Sequence, residues 1–218
     1  MDARHHIGIL FVMLSCQDAA LERDWDRWYD EIHVPDVTGL GFFPKGTRFR
    51  KASGSTPGDA RSLTVYETER TDPQKDYDDQ SLVFAKIPTP RRMDHPKTTF
   101  CYRAIFKLAV TLGKAPGKTR IAQIALSNCK DTTREAEFIR WYETKHIPEV
   151  LATGAFQSAS RYIATKPGAD EPHHLVIYES SLAEPGKVQQ ALAGIKGQTT
   201  PPPATLQLLH AALFRRAD

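Results

Sequence analysis

The 218 residues are 40% hydrophobic and 25% charged, with a formal net charge of +3, which is the make-up of a globular chain and not of a disordered one. Lys and Arg are scattered among Asp and Glu, and no apolar run approaches the length of a membrane span, so neither a basic face for nucleic acid nor a membrane partner is expected. Cys16, Cys101 and Cys129 form neither a metal spacing nor an even disulfide set, pointing to reduced thiols and a cytoplasmic protein.

The apolar run at residues 7–14 follows a charged start, the outline of a secretion signal, but Ser15-Cys16-Gln17-Asp18 supplies no small-residue cleavage site. The run is read as a buried first strand. Asp18 is placed to cap a helix in which Leu21, Trp25, Trp28 and Ile32 recur at helical spacing as a buried stripe, and Pro35 is expected to stop the helix or start the next turn. Strands are predicted at 47–51 and 62–67, a helix at 73–86, a proline-bearing loop at 88–96 and a strand at 100–108. After Gly113-Lys114-Ala115-Pro116-Gly117, which has linker composition, the order repeats. A strand is predicted at 121–126 and a helix opened by the capping-box pattern Thr132-x-x-Glu135 and limited by Pro148. Strands at 158–164 and 174–179, a helix at 184–195, the loop Pro201-Pro202-Pro203 and a strand at 208–214 complete it.

That recurrence is a duplication. Displaced by 113 positions, Trp28, Tyr29, His33, Pro35 and Val37 fall on Trp141, Tyr142, His146, Pro148 and Val150. Asp36 meets Glu149, Cys16 meets Cys129, and Arg48 meets Arg161 in the same frame. One residue out of frame, Val65-Tyr66-Glu67 matches Ile177-Tyr178-Glu179. We therefore divide the chain into a first repeat at 1–110, a linker at 111–118 and a second repeat at 119–218. Each has the order β-α-β-β-α-β, which is the ferredoxin-like pattern of an α+β fold. Such a unit leaves one sheet face in need of a partner, and the other copy can supply it, giving two repeats packed sheet to sheet as a barrel within one chain.

The strings Trp28 to Val37 with Gly41, Phe42 and Arg48, and Trp141 to Val150 with Gly154, Phe156 and Arg161, resemble the EthD-like branch of the dimeric α+β barrel superfamily. The resemblance covers both halves. It implies a barrel formed by two ferredoxin-like units, with pockets between the helices and the sheet. It leaves the reaction open, since that superfamily includes polyketide cyclases, lactone isomerases, cofactor-free monooxygenases and haem-degrading enzymes.

Tyr29 and His33, like Tyr142 and His146, stand four apart on one side of a helix, with Asp36 or Glu149 three residues further on. Phenol, imidazole and carboxylate so grouped are the materials of acid–base chemistry near neutral pH. Arg48 and Arg161 are candidates to bind an anionic substrate group, and Trp28 and Trp141 to line its site. Each has a plainer reading beside the functional one. The histidines close a helix end, Asp36 and Glu149 cap the turn after the proline, the tryptophans are core, and the arginines are strand surface. His5, His6, His95, His173 and His174 are weaker candidates, and neither a metal site nor a nucleotide loop is present in the sequence.

The leading expectation is a cofactor-independent cyclase, isomerase, lyase or decarboxylase. His33 or His146 would move protons on a hydrophobic, oxygenated small molecule of aromatic or polyketide type. A haem-dependent or cofactor-free monooxygenase is the alternative, and a non-catalytic ligand-binding or structural barrel is another. The chain is expected to be a monomeric pseudo-dimer or a homodimer. Ile32 against Lys145, Trp25 against Phe138 and Gly39 against Ala152 predict two unequal pockets.

Overall fold

The first strand, β1 (Gly8–Cys16), is apolar on both faces, and the reason lies in what it separates. Ile9, Phe11 and Met13 join a cluster with Phe49, Leu63, Phe106, Ile124, Leu126, Leu175 and Phe214, drawn from both halves of the chain. Leu10, Val12 and Leu14, pointing the other way, pack with Trp25, Tyr29, Val37 and Phe43. A strand sandwiched between two apolar layers reads as a continuous hydrophobic run and not as an alternating one.

The computed structural model describes residues 6–87, 97–195 and 197–217. Its other strands are β2 (Lys45–Gly54), β3 (Ser62–Thr68), β4 (Thr98–Gly113), β5 (Ile121–Cys129), β6 (Ser158–Ala164), β7 (His174–Ser180) and β8 (Leu206–Arg216). They close into one barrel in the order β1-β3-β2-β8-β5-β7-β6-β4, antiparallel at every pairing described. The two halves thus have the same strand pairing. They are joined at two seams, β2 to β8 and β4 to β6. The expected sheet-to-sheet packing is therefore an edge-to-edge closure, which leaves no open sheet edge. β4 runs on through Gly113, paired with Ser158, so the start of the linker segment is itself strand.

The barrel interior is filled by side chains from all eight strands. Each fully buried Phe, Leu or Ile there contributes roughly 1.5–3 kcal/mol. The void among Thr47, Phe49, Glu67, Tyr162 and Glu179 measures only about 20 Å³, too little for an organic ligand. Space for one has to be sought outside the barrel wall, under the helices. No helix among the described residues is long and apolar enough to cross a membrane.

The helical layer differs from expectation at the prolines. α1 (Glu22–Trp28) does not stop at Pro35; it passes through a π-helical turn, Tyr29–His33, into α2 (Val34–Gly39). The second half repeats this as α4 (Glu135–Trp141), the π turn Tyr142–His146 and α5 (Ile147–Ala152). A proline inside a helix cannot donate to the carbonyl four residues back, and its ring crowds that carbonyl. The widened turn just before each proline removes the crowding. Val34 N–H bonds to the Tyr29 carbonyl and Ile147 N–H to that of Tyr142, five residues apart instead of four.

The same turn corrects the predicted stripe. Ile32 is 42% exposed and Trp28 only half-buried, while Trp25, Tyr29 and Val37 are buried; a longer turn stretches the repeat to about four residues. Asp131, not Thr132, caps the second-half helix by accepting from Thr133 N–H, as Asp18 accepts from Ala20 N–H. The remaining helices, α3 (Pro73–Phe84) and α6 (Pro185–Gly194), lie close to their predicted ranges. The predicted loop 88–96 lies outside the described residues.

Gly54 (φ +91°) and Gly113 (φ +79°) end the strands at the two seams. A Cβ there would sit 2.2 Å from the Ala211 carbonyl oxygen or 2.3 Å from that of Gln157, in a left-handed conformation that already disfavours side chains. Gly54→Ala and Gly113→Ala should each lower stability by about 3–4 kcal/mol in urea unfolding. Gly41→Ala, at φ +80° but facing open space, should cost about 1–2 kcal/mol.

Candidate functional site

Each π turn changes which side chains meet. In a regular α-helix of 3.6 residues per turn, residues five apart point about 140° away from each other. A π turn brings them together. Trp141 and His146 are stacked with ring centroids 4.6 Å apart and planes 13° from parallel; Trp28 and His33 lie 5.3 Å apart at 36°. Tyr142 stands edge-on to His146 at 5.6 Å, and Tyr29 lies 4.7 Å from His33.

In the second half these rings face a cavity of about 510 Å³ between helices and sheet. Its sheet side includes Gln123, Ala125, Tyr178 and Ala211, and its helical side Trp141, Tyr142, His146 and Val150. Phe156, Leu192, Pro202 and Leu208 complete a largely apolar lining. Sequence comparison of the halves shows why there is room. Gln123 and Ala125 occupy the positions of Leu10 and Val12, which are buried in the apolar layer of the first half, and Phe138 occupies that of the larger Trp25.

Burial pushes the His146 imidazole below the ordinary histidine range, Glu149 opposing this only in part, so the ring is neutral at neutral pH. Its Nδ1 is buried without a hydrogen-bond partner. Tyr142 has its hydroxyl 3.4 Å from Ser127 Oγ, and burial raises its pKa. The Tyr178 hydroxyl is buried without a partner, and burial raises its pKa well above the usual phenol value. Both therefore stay protonated as neutral phenols.

Glu149 accepts hydrogen bonds from the backbone N–H of Thr200 at 2.9 Å and from its hydroxyl, and these hold its carboxyl below the usual range. Trp141 Nε1 donates to the Thr200 carbonyl at 3.4 Å. The loop that begins there, and whose Pro202 lines the cavity, is thus fastened from two sides. Asp36 occupies the matching half-buried position on α2.

Arg48 and Arg161 lie outside this lining. Arg48 is buried, donates to the carbonyl and Oδ1 of Asp26 at 3.1 and 2.8 Å, pairs with Asp30 at 2.7 Å, and covers the Tyr29 ring at 4.3 Å. Tyr29 itself accepts from Thr64 Oγ1 at 3.3 Å. Arg161 donates from Nε and Nη2 to Glu143 at 3.0 and 2.7 Å. Arg48 ties its strand to α1 through Asp26 and to the π turn through Asp30, and Arg161 ties its strand to the π turn through Glu143. His6 Nε2 is 2.7 Å from the Tyr162 hydroxyl, and His174 Nε2 is 3.1 Å from Glu135; His5 and His95 lie outside the described residues. The structure therefore unites Trp141, Tyr142 and His146, sets Glu149 at the loop anchor and removes Arg161 to an ion pair. Gln123, Ala125 and Tyr178 were not singled out from the sequence. A polar and a small residue facing Leu10 and Val12 in the repeat alignment were the available signal.

No protein-family model matches the sequence, and no curated protein is similar to it. In structure the chain is similar to a point variant of chlorite dismutase from Candidatus Nitrospira defluvii, with a TM-score of 0.58 and 12% identity over 97% of this chain and 92% of that one. Another variant of that enzyme, in complex with cyanide, gives a TM-score of 0.55 and 11% identity over 97% and 91%. An anthrone oxidase-like protein gives 0.52 and 9% identity over 100% and 94%. These structures belong to the dimeric α+β barrel superfamily, and the likeness establishes that fold. It also corrects the expectation of a cofactor-independent cyclase, isomerase, lyase or decarboxylase. The neighbours named above are a chlorite dismutase and an anthrone oxidase-like protein, and they do not support a lyase or isomerase.

Burial also holds His174 down to about 4, despite Glu135. An unfolded histidine titrates near 6.5, so between these values the unfolded chain binds a proton that the folded chain does not. Stability contributed by keeping His174 neutral is complete above about pH 6.5 and is lost as pH falls towards 4. Urea unfolding at pH 7 and pH 4.5 should show a smaller acid loss in His174→Asn than in the natural chain.

Proposed function

We propose that the chain is an oxygen-using enzyme of the cofactor-free monooxygenase kind, acting on a planar phenolic or anthrone-like aromatic in the second-half cavity. The observation that carries this reading is the neutral His146, stacked on Trp141 beside an apolar space of about 510 Å³. The anthrone oxidase-like neighbour supports the substrate class. The recurrence of the Trp-Tyr-His-Pro motif in both halves supports placing the chain as a fused two-copy, ferredoxin-like member of the EthD-like branch.

Apolar and aromatic walls favour a flat hydrocarbon framework and exclude water from it. His146 accepts the acidic proton of the substrate, and the phenols of Tyr142 or Tyr178 donate to the oxygen that becomes negative. The resulting electron-rich anion is the reductant. Dioxygen accepts its electrons, one oxygen atom converts a CH₂ group to C=O, and the other leaves as water.

The second-half cavity does not fit haem. A histidine that ligates iron ordinarily has its other ring nitrogen held by a carboxylate, carbonyl or water, whereas His146 Nδ1 is buried without a partner. Among the described lining residues no Lys or Arg is available for the two haem carboxylates.

Purified protein without added cofactor should consume oxygen with anthrone, and His146→Ala should lower kcat/KM by about 10²–10⁴-fold. His33→Ala should lower it less than about tenfold, since position 33 lies in the other half. Oxygen uptake that is absent, or that survives His146→Ala unchanged, rejects the assignment.

A further inference from the structure

Five residues of β5 and β8 line the cavity, and among them Gln123 alone is polar. The matched residue of the first half, Leu10, is buried in an apolar cluster, so packing against this sheet face calls for a hydrocarbon. Gln123 is instead half-buried at the cavity wall. Its Nε2 donates to the carbonyl of Ile124 at 3.2 Å, and its Oε1 has no donor among the described residues. The amide oxygen at the cavity wall is therefore available to accept a hydrogen bond from a molecule bound there.

We propose that Gln123 is a specificity-determining residue whose amide oxygen accepts a hydrogen bond from a hydroxyl of the substrate. The cavity then selects hydroxylated polycyclic aromatics over the same ring systems without the hydroxyl. This rests on the reading of the cavity as the substrate site, and it adds to the groups named there an acceptor on the β5 wall that fixes which edge of a flat molecule enters first. His146 and Gln123 belong to different layers, helix and sheet, so the ring system is held between them with its oxygenated edge on the sheet. An ether or a halogen at the same position cannot donate and leaves Oε1 unpaired.

The test is equilibrium binding, which does not depend on turnover. Affinities of 2-hydroxyanthraquinone and anthraquinone are measured by titration calorimetry for the natural chain, Gln123→Leu and Gln123→Met, the last keeping the side-chain length so that one variant remains well packed. The natural chain should prefer the hydroxylated compound by about tenfold, the value of one hydrogen bond in a partly dry site. Both variants should bring the ratio to about one while binding anthraquinone as before. A ratio unchanged in the variants overturns the role of Gln123 and leaves the cavity assignment standing. If neither compound binds the natural chain, the assignment of the cavity to this substrate class fails, and this inference with it.

Discussion

Pro35 and Pro148 stand inside helices, and the rest of the site follows from how the backbone tolerates them. A helix that meets an internal proline breaks, kinks or widens. Here both halves widen, and the residues inside the widened turn are the motif residues Tyr29–His33 and Tyr142–His146. An indole and an imidazole five positions apart, divergent on any regular helix, come together, tilted in the first half and stacked in the second. The packing beneath fixes the turn, because Tyr29 and Tyr142 are buried at the start of it and Val37 and Val150 just beyond it. The ion pair of Arg48 with Asp26 holds the preceding turn to the sheet, and that of Arg161 with Glu143 holds the widened turn itself. Interactions made at one helical position thus determine the geometry several residues away.

The two halves share this framework and differ in what lies opposite it. In the first, Leu10 and Val12 on β1 fill the space against Trp25 and Tyr29. In the second, Gln123, Ala125 and Phe138 are smaller or polar at the same places, and a cavity results. The difference is a change of side-chain volume on one strand face, with the backbone topology untouched. The inner face is filled by an apolar cluster from all eight strands with a void of only about 20 Å³ described there, and the outer face of the second half is left incompletely filled.

Much of the architecture was legible in the sequence because strands, helices and duplication each leave a periodic trace. The ranges at β6, β7 and α3 needed little adjustment. The motif also located the Trp141, Tyr142 and His146 grouping. Two things were not legible. A period of 3.6 assumes a regular helix, so it set Ile32 inside and missed the stack of Trp141 on His146; only the proline hinted at the longer turn. Long-range pairing was the other. Arg161 on β6 was a plausible anion binder until the fold brought Glu143 to it, and nothing in their local sequence joins Thr200 to Glu149.

The seams bear on how such a protein can change over time. A barrel assembled from two copies of one polypeptide is bound to symmetry, and any substitution that opens a cavity in one protomer opens it in the other, with twice the loss of packing. Here β4 carries the chain directly into its pairing with β6, and β2 closes against β8, so both units are encoded separately within one molecule. Position 10 can remain Leu while position 123 becomes Gln. A position packed in the core of one half and its counterpart at a cavity wall in the other are then free to diverge, which two copies of an identical chain cannot do.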